Sequence, residues 1–307
     1  VSALGIDFGG TKIEANLLDP GGDVLWRQRV PNPGSYDAAI QAIADLVAQA
    51  DGEAGARCTV GIGAPGSPSP LTGIMRNANS VYLNGRAFAA DLESVLGRSI
   101  RLANDADCLA VSEATDGAAA GARSVFAMVI GTGVGGGLVL EGAGIAGAHG
   151  IAGEIGHVPL PGAGTLAEES DPPPCWCGLA GCCETWVSGT GFARAFAARA
   201  GRSLAAPAII AAARAGDAEA AAELHAYTDR LGRVLAMVAN LFDPEVIVLG
   251  GGMSNVSELY PALPVIVRHH TFSDLWDGRI VPARWGDASG VRGAARLWAA
   301  GAAAAHA

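Results

Sequence analysis

Short apolar runs alternate with longer stretches of helical periodicity, a pattern that predicts a mixed α/β chain. Residues 3–8 form an apolar run that stops at Gly9-Gly10-Thr11-Lys12. Residues 13–18 and 24–30 read as two further strands around the turn Pro20-Gly21-Gly22. Residues 38–50 place Ile40, Ile43, Leu46 and Val47 on one helical face. Residues 58–64 predict a strand ending in Pro65-Gly66, and residues 91–96 a short helix. A strand over 100–103 then delivers Asn104-Asp105 to a helix running toward Thr115. The opening pattern recurs: an apolar strand over 125–130, a Gly/Thr turn over 131–137, and a return strand from Leu138. Two copies of strand, turn and strand imply a duplicated architecture. Ala-rich helices follow over about 189–240, and a buried strand over 246–249 ends in Gly250-Gly251-Gly252. The segment 289–304 reads as a last helix, and the Pro-rich stretch 161–174 as a surface loop. A boundary falls near 117–121.

Composition narrows the function classes. The chain has 307 residues, 50% of them hydrophobic and 16% charged, enough for two domains with a large core. A net charge of −10 argues against nucleic acid as a partner, since phosphate contacts need a basic surface. No apolar run is long enough for a membrane helix. The chain opens without a basic-then-apolar leader, and its thiols are clustered, so a reducing, cytoplasmic location is expected.

The densest chemistry lies between Gly153 and Glu184. Gly153-Glu154-Ile155-Gly156-His157 is followed by Cys175-Trp176-Cys177-Gly178 and Gly181-Cys182-Cys183-Glu184. His157, Cys175, Cys177 and Cys182 form a ligand set suited to a four-coordinate, structural zinc. Gly178 and Gly181 supply the backbone freedom of a tight knuckle. Buried free cysteines or disulfides are the alternative reading, although isolated core cysteines do not bunch beside a Gly-flanked His. A metal here would also fix Glu154 and Glu184.

Asp7 and Gly9-Gly10-Thr11-Lys12 have the makings of a phosphate-binding hairpin. Glycines admit backbone N–H groups to phosphate oxygens, Thr11 and Lys12 add a hydroxyl and a charge, and Asp7 would orient Mg²⁺. Such turns are common, but a second copy containing Thr132 and Gly133 would let two turns clamp a polyphosphate. Gly251 and Gly252 suit a nucleoside, or are a simple strand-to-helix turn. Asn104-Asp105 reads either as an N-cap or as a general base toward a sugar hydroxyl. Asn79, Asn104, Asp105, Glu154, His157 and Glu184 together suit a polyol.

With these motifs laid out, the chain resembles the ROK family of sugar kinases, part of the actin-like ATPase superfamily. The resemblance runs from Gly5-Ile6-Asp7-Phe8-Gly9-Gly10-Thr11-Lys12 to Ser289-Gly290-Val291-Arg292-Gly293. It is most specific at Gly-Glu-Ile-Gly-His and Cys-x-Cys-Gly-x-x-Gly-Cys-x-Glu. Asn77-Ala78-Asn79, Asn104-Asp105-Ala106 and Gly250-Gly251-Gly252-Met253 look most like the family's fructokinases, the N-acetylglucosamine kinases being neighbours. The resemblance implies an α/β, actin-like ATPase (ribonuclease H-like) fold with two lobes and a central ATP/sugar cleft. One lobe would span 1–117, with a C-terminal helix over 289–307 packing back on it. The other would span 118–288 and carry the zinc loop.

The implied reaction is transfer of the γ-phosphoryl group of ATP, with Mg²⁺, to the 6-hydroxyl of a hexose. Fructose comes first, mannose next, and glucose or N-acetylglucosamine are the alternatives. Asp105 would be the base. Gly66, Asn79, Asn104, Asp105, Glu154, His157 and Glu184 would contact the sugar. Asp7, Gly9, Gly10, Thr11, Lys12, Thr132 and Gly133 would hold phosphates, and Gly251 and Gly252 would lie near adenosine. His157, Cys175, Cys177 and Cys182 would hold the structural zinc; Cys183 departs from the family's aliphatic residue and is a possible competitor. A homodimer is also implied. Repressor members carry an N-terminal helix-turn-helix; here the hairpin begins at residue 5, so an enzyme is expected.

Overall fold

Three strands open the chain as an antiparallel meander: β1 (Ala3–Phe8), β2 (Lys12–Leu18) and β3 (Val24–Pro31). The computed structural model describes residues 1–298. These divide into two compact units, one of Val1–Arg123, Gly137–Gly153 and 284–298, the other of Ser124–Gly136 and Glu154–Ala283. The first break thus follows Arg123 rather than residue 117, and 137–153 groups with the first unit.

In the first unit, helix α1 (Tyr36–Ala54) buries Ile40, Ile43, Leu46 and Val47 and stops at Gly55 in the left-handed conformation. Strand β4 (Thr59–Ala64) pairs parallel to β1, and a small ribbon of β5 (Ser67–Pro68) and β6 (Met75–Arg76) follows. After α2 (Phe88–Leu96), β7 (Arg101–Asn104) joins β4, giving the order β3-β2-β1-β4-β7. Helix α3 (Asp105–Thr115) leaves the end of β7. Leu4, Ile6, Phe8, Ile13 and Leu17 build a core with α1 and α2.

The second sheet contains β8 (Ser124–Ile130), β9 (Val134–Leu140), β10 (Ala143–Gly144), β11 (Val246–Gly250) and β12 (Arg279–Pro282), in the order β10-β9-β8-β11-β12. It repeats the first sheet's plan, in which the strand before the Gly/Thr turn takes a parallel neighbour, β4 for β1 and β11 for β8. That is the duplication expected from sequence. The second turn is shorter than expected, because β9 already starts at Val134. Helices α4 (Glu184–Val187), α5 (Gly189–Ala200), α6 (Ala206–Arg214) and α7 (Ala218–Phe242) follow. Left-handed Gly201 ends α5, and Asp217 caps α7 by accepting from Ala220 N–H at 2.9 Å. Helix α8 (Leu259–His270) and β12 were not anticipated.

The 161–174 stretch is more than a surface loop. Its Glu169 is buried and ion-paired to Arg230 and Arg233 of α7, and Arg233 also donates to the Pro161 carbonyl at 2.6 Å. A buried carboxylate needs such partners, since burying it alone would protonate it or unfold its surroundings.

The last element, α9 (Ser289–Arg296), packs on β1, β4 and α3 of the first unit. Glycine permits this closeness: a Cβ on Gly5 would lie 1.9 Å from the Val291 carbonyl oxygen, and one on Gly61 the same distance from that of Ala294. The expected continuation of this helix past residue 298 lies outside the described residues.

Candidate active site

Within the first unit, the ends of β1 and β7 carry the residues of interest. Beyond β1 the hairpin closes through Gly9 N–H to the Lys12 carbonyl at 3.0 Å. Asn32 donates to the Gly9 carbonyl at 2.7 Å and is itself held by the Tyr82 hydroxyl at 2.6 Å. Gly10 and Thr11 stay exposed, which leaves the tip of the turn open to an anion. Lys12 lies 3.6 Å from buried Glu14, which also takes Arg27 and Arg29. Burial works against the ionised form of Glu14, but the two arginines hold its carboxyl below the usual range.

Asn104 is the N-cap of α3: its side-chain oxygen accepts from Ala106 N–H at 2.8 Å. Its amide donates to the Gly66 carbonyl at 3.2 Å. Gly66 has φ +76°, and a Cβ there would lie 2.3 Å from the Arg76 carbonyl oxygen and 2.7 Å from Ala78 N. Ala78 is braced on both sides by Asn84, which accepts from its N–H and donates to its carbonyl, each at 2.9 Å. Gly66, Asn104 and the Asn77–Asn79 turn are therefore one connected neighbourhood, with Asn79 exposed at its edge. The cap reading of Asn104 holds, and it leaves the next residue, Asp105, facing solvent.

Asp105 accepts from Ala106 N–H at 2.9 Å. Protein crowded around it raises its carboxyl above the usual value, partly offset by backbone N–H donors. Asp7 is raised to about 6, first by burial and then by the charge of Asp105. The charge of Asp105 thus adds to the burial that disfavours ionisation of Asp7.

Within the second unit, His157, Cys175, Cys177 and Cys182 converge, with one ligand atom from each lying within 4.8 Å of the others. Cys175 Sγ is 3.6 Å from His157 Nδ1, and Cys177 Sγ is 3.6 Å from Cys182 Sγ. A tetrahedron with zinc–sulfur bonds of about 2.3 Å has edges near 3.7 Å, so the donor set and its spacing fit zinc. Left-handed Gly178 and Gly181 shape the knuckle. All six cysteines are free, and Cys183 turns away, its thiol directed at the Pro159 carbonyl at 3.7 Å. It does not compete for the metal position.

Glu184 opens α4 two residues after Cys182. Its Oε2 accepts from Val134 N–H at 2.9 Å and its Oε1 from the Trp176 indole at 2.7 Å. A Cβ on Gly133 would sit 2.5 Å from Oε2, so a larger residue there would push the Glu184 carboxylate aside. The Thr132 carbonyl accepts from the Thr190 hydroxyl at 2.7 Å, and Gly189 N–H donates to the Gly131 carbonyl at the same distance. Gly251, at φ +80°, packs against Ile130 and Gly131. The segment after it is a single 3₁₀ turn, Gly252–Asn255, rather than the start of a long helix. Glu154 is exposed just before the 3₁₀ turn Ile155–His157.

Asn32, Asn84 and Trp176 were missed from sequence. Asn84 offered a weak signal, since it closes the Asn-rich 77–84 stretch; an indole hydrogen bond leaves none.

The ROK family model matches residues 3–300. The chain is 41% identical over 296 residues to the N-acetyl-D-glucosamine kinase of Shigella boydii, covering 95% of this chain and 98% of that protein. It is similar in structure to the ROK hexokinase of Thermus thermophilus, with TM-score 0.85, 32% identity, and 96% and 97% of the two chains covered. It is also similar to a ROK family glucokinase of Streptomyces griseus solved with glucose and AMPPNP, with TM-score 0.75, 28% identity, and 97% and 99% covered.

Proposed function

The chain belongs to the ROK family and has that family's actin-like sugar-kinase fold; from that premise we propose that it transfers the γ-phosphoryl group of ATP to the 6-hydroxyl of N-acetylglucosamine. The observation that carries the sugar assignment is the 41% identity to an N-acetyl-D-glucosamine kinase along nearly its whole length. Fructose, which the family resemblance in the sequence placed first, becomes the runner-up.

Asp105 takes the proton of the attacking hydroxyl. An aspartate of ordinary pKa is a weak base, and crowding moves this one toward the range where a base works best near neutrality. Asn104 caps α3 so that Asp105 stays at its mouth, and Gly66 and Asn79 hold sugar hydroxyls nearby. Glu154, His157 and Glu184 supply further sugar contacts. Gly9, Gly10, Thr11 and Lys12, with Thr132 and Gly133, offer donors to the phosphates, while Gly251 and Gly252 border the adenosine. Asp7 would orient the Mg²⁺ that accompanies ATP. His157, Cys175, Cys177 and Cys182 would hold Zn²⁺, which would supply a structural lock on the loop. No helix among the described residues is long and apolar enough to cross a membrane, and a cytoplasmic homodimer is part of the proposal.

The test is a coupled ADP-release assay over N-acetylglucosamine, glucose, mannose and fructose. The reading predicts a kcat/KM for N-acetylglucosamine at least about tenfold above each of the others, a gap of about 1.4 kcal/mol. A preference for fructose would overturn the assignment.

A further inference from the structure

Trp176 stands between two of the sulfur ligands, Cys175 and Cys177, yet its side chain is 64% exposed. An indole left that open gains little from burial, so its directional contacts are what distinguish it. There are two. Its ring meets the His157 imidazole edge-on, with centroids 4.8 Å apart and planes at 87°. Its N–H donates to Glu184 Oε1 at 2.7 Å, while Val134 N–H holds the other oxygen at 2.9 Å.

Glu184 is thereby gripped at both oxygens by two separate segments, the metal loop and the first residue after the second Gly/Thr turn. A free glutamate side chain gives up on the order of 1.5–2 kcal/mol of rotamer entropy when it is fixed. Donors already in place remove that loss from ligand binding, which is preorganisation. A carboxylate has about four acceptor positions. Two are used here, and the others are free to meet hydroxyl donors.

We propose that Trp176 is a positioning residue: its indole N–H sets the Glu184 carboxylate for the sugar and so carries the order of the metal loop into the sugar site. This rests on the reading that Glu184 binds the sugar. The ligand backbone alone would not do it, because any residue between Cys175 and Cys177 keeps the knuckle, and only an N–H or O–H at this reach engages Oε1.

A double-mutant cycle of Trp176→Phe and Glu184→Gln tests it, with N-acetylglucosamine affinity by calorimetry, steady-state kinetics and metal content. Phenylalanine keeps an aromatic edge for His157 and removes the N–H. The proposal predicts a roughly tenfold weaker sugar affinity in W176F, the scale of one charge-assisted hydrogen bond. It predicts unchanged KM for ATP, kcat within about twofold, and full metal content. In the E184Q background, W176F adds little. The Trp176 indole proton resonance, assigned by its disappearance in W176F, also moves upfield in E184Q. If E184Q weakens sugar binding while W176F does not, the positioning role falls and the reading of Glu184 stands. If neither variant changes affinity, Glu184 is no sugar ligand and both fall. Equal effects of W176F in both backgrounds, or loss of metal from W176F, would also overturn the proposal.

Discussion

Asp105 and Glu113 occupy opposite ends of α3, and their surroundings differ in kind. Glu113 is fully buried and accepts from the N–H groups of Ala118, Arg284 and Trp285 at 2.7, 3.0 and 3.2 Å and from the Ser289 hydroxyl at 2.8 Å. Asp105 is exposed and shares one backbone N–H, that of Ala106, with its neighbour Asn104. A carboxylate that accepts from four donors ties together the segments that carry them. One with few donors and crowded surroundings keeps its basicity. One helix therefore carries a fastening point at its C-terminal end and, in the proposed reading, the base at its N-terminal end.

The sharpest way to break this contrast is to neutralise each end. Asp105→Asn should lower kcat by about 10²–10⁴-fold, the usual worth of a general base, with a melting temperature that does not fall. Turnover near that of the parent would remove the base assignment. Glu113→Ala should do the reverse, destabilising the protein by about 3–5 kcal/mol in urea unfolding because four donors lose their buried acceptor. The kcat per folded molecule should hardly change, and a well-folded but inactive variant would contradict the division of roles.

Acidity sharpens the comparison further. Asp7 has a folded-state value of about 6, above its ordinary value of 3.8. Its ionised form is therefore disfavoured in the fold: the stability penalty is absent well below pH 4, grows between about 4 and 6, and is complete above 6. Asp7→Asn should raise the melting temperature at pH 8 and leave it unchanged at pH 3.5. Activity should fall as pH drops below about 6, where Asp7 loses its charge. A melting temperature lowered at pH 8 would refute the raised value. The smallest effect belongs to Asn104→Ala, which removes the cap of α3 and should cost about 1 kcal/mol, read by urea unfolding. A loss of 3 kcal/mol or more would show that its bond to Gly66 matters more than the cap.

What was legible in the sequence was local. The two Gly/Thr turns, the Asn104-Asp105 helix start and the Cys/His cluster each lie within a few residues or one loop, so spacing alone exposes them. Long-range contacts were not legible. Nothing near Glu113 announces that residues 284–289 fold onto it, and the Pro-rich character of 161–174 hides the buried Glu169 that ties it to α7. Pattern also fails where composition is uniform: the Ala-rich block after residue 189 reads as continuous, and its breaks depend on Gly201 and the Asp217 cap. The sugar itself was not legible, because acceptors that differ at carbons one and two are told apart by pocket shape.

The central claim is that a hexosamine's 6-hydroxyl gives its proton to Asp105 as it receives phosphate. The most direct measurement is NMR of the product formed from ATP and N-acetylglucosamine by the parent protein and by D105N. The account predicts phosphate on O6 alone with the parent, the same product formed about 10²–10⁴-fold more slowly with D105N, and no turnover of the 6-deoxy sugar. Phosphate on the anomeric oxygen, or product formed as fast by D105N, would contradict it.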